Sequence, residues 1–360
     1  MPGTGATSTE TRPRNRWARI ISLGLCGLLV AAATAWGGLL LRFQLPGPPP
    51  LRTVLVAAWC LLGAATVLVL GRQRLRALRR PLLAAFAAGL AALLAWWFSL
   101  APSHERDWAD DVARLLDADV QGDRVLLRSV RNFEWRSETD YTPRWETREY
   151  DLARLATADL VLSYWMGPNI AHTLVSFGFD DGQRVVFSVE IRKERGEEFS
   201  ALGGFFRRFE QVLVAADERD IIRTRSNARG EDVHLYRLDI PPEALRRMFL
   251  GYVARADALQ QRPAFYNSLT SNCTTVIFDI ARHVVPGLPM DHRLLLSGHF
   301  AEYAYDQGGL TPGYGFDELR ERGWINPRAL AVPADTADET AFSRAIRQQV
   351  PGVPAAELER

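Results

Sequence analysis

The sequence predicts an α+β domain, built on an antiparallel sheet with flanking helices, behind three N-terminal transmembrane helices. Three observations carry this reading: long charge-free stretches in the first hundred residues, alternating segments after Pro102, and a reversal of charge between the two parts. The chain has 360 residues and a formal net charge of +1. That balance hides eleven Arg against the single acid Glu10 in residues 1–100, and 32 basic against 41 acidic residues in 101–360. So large a split places the two parts in different surroundings. An acidic domain argues against nucleic-acid binding through a basic face. Three cysteines and 27 glycines without a period exclude a disulfide-stapled or collagen-like fold.

Residues 20–41, 53–71 and 81–101 contain no charged side chain. A spanning helix needs roughly 20 apolar residues, and inside lipid a helix satisfies its own backbone polar groups. The first stretch is too long for a cleaved signal, despite the basic flank and the A-x-A at 33–35, and two more follow it. A lipobox at Cys26 is disfavoured by the bulky Leu25. Arginines set the orientation. Arg12, Arg14, Arg16 and Arg19 precede the first span, and Arg72, Arg74, Arg76, Arg79 and Arg80 follow the second, against only Arg42 and Arg52 in the first connection. This puts the N-terminus and second connection in the cytoplasm, and everything after Ala101 across the membrane. The spans hold no ionisable group other than Cys26 and Cys60, so they read as an anchor rather than a transport path. The expected organisation is a tail at 1–19, an anchor at 20–101, a globular domain at 102–332 and a weakly ordered Ala/Pro/Asp-rich tail from 333, with residues 1–14 also weakly ordered.

Within the domain, 108–116 reads as a short helix, and 123–133, 144–152 and 159–165 as strands. Residues 171–179 and 184–192 form a hairpin about Asp180-Asp181-Gly182-Gln183. Segments 209–216 and 232–238 add two strands. Pro241-Pro242 fits the start of a helix over 242–258, and Pro286-Gly287 stops another over 273–285.

Cys26 and Cys60 lie in the spans and behave as small apolar residues. Cys273 is the one thiol of the domain, either an inert core residue or a used one. Three polar cap-forming residues, Thr270-Ser271-Asn272, precede it, so it falls in the first turn of a helix. There, unpaired N–H groups and the helix dipole favour a thiolate and can hold an oxyanion. A nucleophile so placed needs a base. His172 follows the turn Gly167-Pro168-Asn169 at the beginning of a strand, where it points into a cleft or serves as a structural histidine. His104, His234, His283, His292 and His299 compete poorly. Pairing the hairpin about its turn brings 188–191 opposite His172, making Glu190 the best orienting carboxylate, with Ser188 the milder alternative. Flanking residues are the candidate substrate contacts: Tyr164, Trp165 and Asn169 before His172, Tyr266 and Asn272 before Cys273, and Arg192 at the hairpin's end. Arg192, Arg195 and Glu198 also fit a solvated extension. His292, His299 and Glu302 lack any zinc spacing, and there is no phosphate-cradling or dinucleotide motif, so neither metal nor cofactor is expected.

At these residues the chain resembles the bacterial family named after the Lnb N-terminal periplasmic domain, over roughly 104–283. The carriers are V-R-N-F at 130–133, Y-W-M-G-P-N-I-A-H-T at 164–173, L-V-S-F-G-F at 174–179, S-V-E-I-R-K-E-R-G-E at 188–197, A-D-E-R-D at 216–220 and F-Y-N-S-L-T-S-N-C-T-T at 265–275. The family includes lipoprotein N-acyltransferases of bacterial envelopes. The resemblance implies a cysteine–histidine acyl-transfer centre with His172 as base and Cys273 as nucleophile. Its His-before-Cys order is similar to permuted papain-like folds such as the lecithin:retinol acyltransferase group. The expected function is that of an inner-membrane thiol acyltransferase with a periplasmic domain, taking an acyl chain from a phospholipid to an amine such as a lipoprotein N-terminus. The rivals are a cell-wall cysteine peptidase or amidase using the same pair, and a non-catalytic envelope module in which Cys273 is merely buried.

Overall fold

The computed structural model describes residues 14–334, 336 and 338–359. Arg12 and the rest of the tail before Arg14, with its expected weak order, lie outside them. The chain divides into two units after Ala101.

In the first unit the apolar stretches form α1 (Arg14–Gln44), α2 (Pro49–Gly71) and α3 (Arg79–Ser99). Each is long and apolar enough to cross a membrane. Residues 45–48, Leu-Pro-Gly-Pro, separate the first two, and Pro49 and Pro50 open α2, where a missing proline N–H costs no helical hydrogen bond. Trp59 stacks on Phe86 with ring centroids 4.8 Å apart, and its indole N–H donates to the Thr34 carbonyl at 2.9 Å. Ile21, Leu25, Leu28 and Leu61 point outward, as a lipid-facing surface requires.

The second unit is organised by one eight-stranded sheet. Its strands are β1 (Asp117–Gln121), β2 (Arg124–Arg131), β5 (Trp145–Asp151), β6 (Leu155–Tyr164), β7 (Ala171–Phe179), β8 (Arg184–Arg192), β9 (Glu210–Ala216) and β10 (Asp232–Arg237). The order is β1-β2-β9-β8-β7-β6-β10, with β5 also pairing β2. A small hairpin, β3 (Glu134–Trp135) with β4 (Tyr141–Thr142), stands apart. Every pairing is antiparallel except β2 with β9, which meet in parallel at Arg131 and Ala216, so the sheet is mixed rather than purely antiparallel.

Both faces are covered, which is why β7 and β8 read as nearly continuous apolar runs. On one face Val175, Phe177 and Phe187 pack against Phe249 and Tyr252 of α6 (Pro242–Gln261) and against α7 (Cys273–Val284), α8 (Phe300–Asp306) and α9 (Phe316–Gly323). On the other, Leu174, Val186 and Val233 meet α5 (Glu218–Arg223), α10 (Asn326–Leu330) and α11 (Ala341–Arg347). The short α4 (Ala201–Phe205) and α12 (Ala355–Leu358) complete the unit.

Two expectations are corrected. Residues 108–116 hold only a 3₁₀ turn at Asp110–Val112, followed by β1. Tertiary pairing overrides the helical pattern there: Trp108 bridges Glu194, and the Ala109 N–H donates to the Lys193 carbonyl at 3.0 Å. The segment from 333 is folded into α11 and α12. Its anchor is Arg347, wholly buried, with guanidinium nitrogens 2.7 Å from Asp159 and 2.7 Å from Glu218. The motifs at 130–133 and 216–220 also meet inside the fold. Asp220 accepts from Arg131 at 2.8 Å, from the Phe133 N–H at 2.9 Å and from the Trp135 indole at 2.7 Å.

Candidate active site

The site lies where two strands part. β7 and β8 pair from Gly178/Arg184 to Leu174/Ser188, and there the ladder stops. Both continue, β7 back to Ala171 along β6 and β8 on to Arg192 along β9. They diverge, and α7 packs against both.

The start of α7 is fixed by a capping box. The Asn272 side chain accepts the Thr275 N–H at 2.8 Å, and the Thr275 hydroxyl accepts the Asn272 N–H at 2.9 Å. Asn272 also donates to the Ser268 carbonyl at 3.0 Å, so its side chain is committed to the cap rather than offered to a substrate. Thr274 and Thr173 share a 3.0 Å hydrogen bond between hydroxyls, which clamps the helix to β7.

Cys273, the first residue of α7, is buried, and its thiol lies near enough to the His172 side chain and the Thr173 backbone N–H for both to act on its charge. His172 Nε2 lies 2.7 Å from the Ser188 hydroxyl and 3.1 Å from Glu190 Oε1. Nδ1 is the ring nitrogen that Ser188 and Glu190 do not engage. Ser188 in turn donates to Glu190 at 2.7 Å. The hairpin register that aligns Leu174 with Ser188 thus brings both Ser188 and Glu190 to the imidazole, as a relay instead of as alternatives.

Electrostatics follow from this packing. Burial pushes the Cys273 thiol up, but the His172 imidazolium and the hydrogen bonds to the sulfur outweigh it, and the thiol sits below its ordinary value. Burial and the Arg225 guanidinium pull His172 down, while Glu190 and the thiolate pull it up by more, to about 9. Burial alone would raise Glu190; His172 and Arg225 instead hold it well below the usual carboxylate range. Both shifts act in the sense that favours a thiolate beside an imidazolium.

Sequence reasoning misses Arg225. Its Nη2 donates to Glu190 at 2.8 Å and its Nη1 faces Glu231 at 3.4 Å. It projects from a π-helical turn, Thr224–Ala228, a rare geometry that often marks functional positions. T-R-S-N-A carries no spacing that announces such a turn, so no local signal points to it.

The remaining predicted residues divide. Tyr266 is buried near Cys273; burial and the charges of Cys273 and Glu190 push it well above its ordinary pKa. Tyr164 donates to the Gly298 carbonyl at 2.7 Å, and burial raises its phenol to about 12. The Asn169 side chain holds His299 Nε2 at 2.9 Å, and its carbonyl accepts the Gly298 N–H at 3.0 Å. Only glycine fits at 298, where a Cβ would lie 2.1 Å from the Pro168 carbonyl. Tyr164 and Asn169 therefore shape the loop that delivers His172. Trp165 is exposed at the rim and lines a cavity of about 600 Å³ with Glu138, Arg229, Asp232 and Arg320. Arg192 does not join the site. It donates to the carbonyls of Val112 at 3.0 Å and Ala113 at 2.7 Å and lies over the Trp108 ring. Arg195, likewise, pairs with Asp107 and Asp110. Among the described residues, no group of three or more His, Cys, Asp or Glu side chains is placed to hold a metal ion.

The segment that holds the cluster resembles one known family. Residues 141–298 match the family model of the Lnb N-terminal periplasmic domain. The Lnb-type region contains His172, Ser188, Glu190, Arg225 and Cys273, and so covers the whole cluster. That family is associated with lipoprotein N-acyltransferase-like proteins. Here it follows three helices able to span a membrane. The chain matches no curated protein and no solved structure.

Proposed function

We propose that this protein is a membrane-anchored thiol acyltransferase in which Cys273 is the nucleophile, His172 the proton carrier, and Glu190 with Ser188 the groups that orient the imidazole. The observation that carries the reading is the buried thiol at a helix start, beside a histidine whose Nε2 meets a serine and a carboxylate. The Lnb-type match supports acyl transfer as the reaction class. With an odd number of crossings and cytoplasmic arginines, the domain works on the periplasmic face of a bacterial inner membrane.

The donor is a phospholipid ester. The Cys273 thiolate attacks the carbonyl carbon, a C–S bond forms, and the oxygen takes negative charge. The Cys273 N–H and the Tyr266 hydroxyl, already neighbours, are the donors available to that oxyanion. The C–O bond then breaks, and the departing lysophospholipid oxygen takes the proton from the His172 imidazolium, leaving a thioester. In the second half an amine, such as a lipoprotein N-terminus, attacks the thioester; neutral His172 accepts its proton, an amide forms and the thiolate leaves. Tethering the domain to the bilayer raises the effective concentration of a donor that lives there.

The test supplies vesicles of phosphatidylethanolamine carrying an alkyne-tagged acyl chain, the full-length protein and a peptide with a free N-terminal amine. The tag should move to the peptide, and Cys273→Ala should abolish transfer. Persistent transfer by Cys273→Ala, or release of the tag only as free fatty acid, would refute the assignment.

A further inference from the structure

Three loops frame the Cys273–His172 pair, and each presents large apolar side chains to the outside. The connection from β6 to β7, immediately before His172, carries Trp165 and Met166. The connection from β8 to β9 carries Phe199, Leu202 and Phe205, and the loop before Cys273 carries Leu269. All six are between 41 and 55% exposed. They form one rim. Trp165 and Phe199 meet edge to face with centroids 5.0 Å apart. The Ser268 hydroxyl donates to the Ala201 carbonyl at 2.8 Å, and a Cβ at Gly204 would fall 2.2 Å from that hydroxyl, so α4 lies directly on the loop of Leu269. A soluble domain rarely leaves so much contiguous apolar surface without a partner.

The way the chain enters the domain points to that partner. α3 ends at Ser99. Four residues later the Ser103 N–H donates to Glu210 at 3.1 Å, and His104 Nε2 is 3.1 Å from the Gln260 carbonyl. Then Trp108 bridges Glu194, and the Arg195 N–H donates to the Asp107 carbonyl at 2.8 Å. The entering strand is thus fastened to the root of the same β8–β9 connection that bears Phe199, Leu202 and Phe205. Four residues reach at most about 14 Å. The chain thus passes from a helix able to span a membrane into the domain over a short segment.

We infer that the rim of Trp165, Met166, Phe199, Leu202, Phe205 and Leu269 is a bilayer-docking surface, seating the mouth of the site in the headgroup and acyl boundary. This rests on the acyl-transfer reading for its purpose and on the exposed side chains and the short entering segment for its evidence. Insertion of such side chains brings a site to the depth of an ester linkage without lifting the lipid into water.

The experiment uses the full-length chain with Cys26, Cys60 and Cys273 replaced by alanine, reconstituted in phosphatidylethanolamine/phosphatidylglycerol vesicles. Nitroxide labels go on Leu202→Cys, Leu269→Cys and, as reference, Gln183→Cys in the turn at the far end of the β7–β8 hairpin. Spin-label accessibility to oxygen and to a water-soluble nickel chelate is then measured. Labels at 202 and 269 should show an oxygen-to-nickel ratio at least about threefold above that at 183, as insertion by several ångströms predicts. Equal ratios at all three positions would overturn the docking proposal. So would labels at 202 and 269 that become shielded only when an acceptor polypeptide is added, since the rim would then bind protein. Because this chain lacks Cys273, the readout is independent of catalysis, and a failure of acyl transfer does not alter what the labels report about docking.

Discussion

Cys273 and His172 have their affinities for one proton drawn together. Lowering the thiol from its ordinary value while raising the imidazole to about 9 biases the pair toward thiolate and imidazolium. Alkylation of Cys273 by iodoacetamide should therefore be fast below the ordinary thiol range, and His172→Ala should slow it at neutral pH by about tenfold or more. A raised imidazole also stabilises the fold at pH below its ordinary value near 6.5 and loses that contribution as pH rises through about 9. Two neighbours push His172 in opposite directions, which gives a signed test. Glu190→Gln removes the upward push, so the alkaline limb of the pH–rate profile should move below 9. Arg225→Gln removes the downward push, and the limb should move above it. Both should also lower the rate, Glu190→Gln by on the order of 10²-fold, in line with general acid–base contributions. A limb that stays put in both variants would mean that neither group is coupled to the imidazole.

Elements bring these side chains together by two devices, one legible in the sequence and one not. The cap is legible: Asn272 preceding an apolar helical run marks the start of α7, and the box with Thr275 follows from it. Asn272→Ala should cost about 1 kcal/mol, read as a melting point lower by roughly 2–4 °C. Iodoacetamide should also react more slowly with Cys273 as the helix start loosens. The hairpin register is legible too, since alternation about Asp180–Gln183 sets Glu190 opposite His172. The fork is not. Nothing in Leu174 or Ser188 says that the ladder ends there, because the reason is the wedge supplied by α7, a hundred residues away in sequence. The π-helical turn that delivers Arg225 is hidden for the same reason. Arg192 misleads through the opposite fault: its position beside the site in sequence gives no sign that the Val112 and Ala113 carbonyls claim its guanidinium.

At the scale of the molecule, charge and hydropathy alone separate the two units, and the three apolar helices stand where charge-free stretches predict them. The C-terminal segment is illegible because Ala, Pro and Asp content says nothing about one buried cation. Arg347, held by Asp159 and Glu218 on the sheet face away from α6 and α7, pins α11 to that sheet. Arg347→Met should leave buried Glu218 without its ion-pair partner and Asp159 with Arg237 as its close cation, and cost roughly 3–5 kcal/mol, lowering the thermal midpoint of the domain by about 10 °C. A midpoint within a degree or two would mean that the segment is dispensable. The proposed acyl transfer turns on covalent chemistry at one sulfur, and that is measured most directly by intact-protein mass spectrometry of the full-length chain after incubation with donor vesicles without acceptor. The predicted result is a gain of one acyl chain on Cys273, removed by neutral hydroxylamine and absent from His172→Ala. An unchanged mass at Cys273 in protein that still transfers acyl chains would contradict the mechanism.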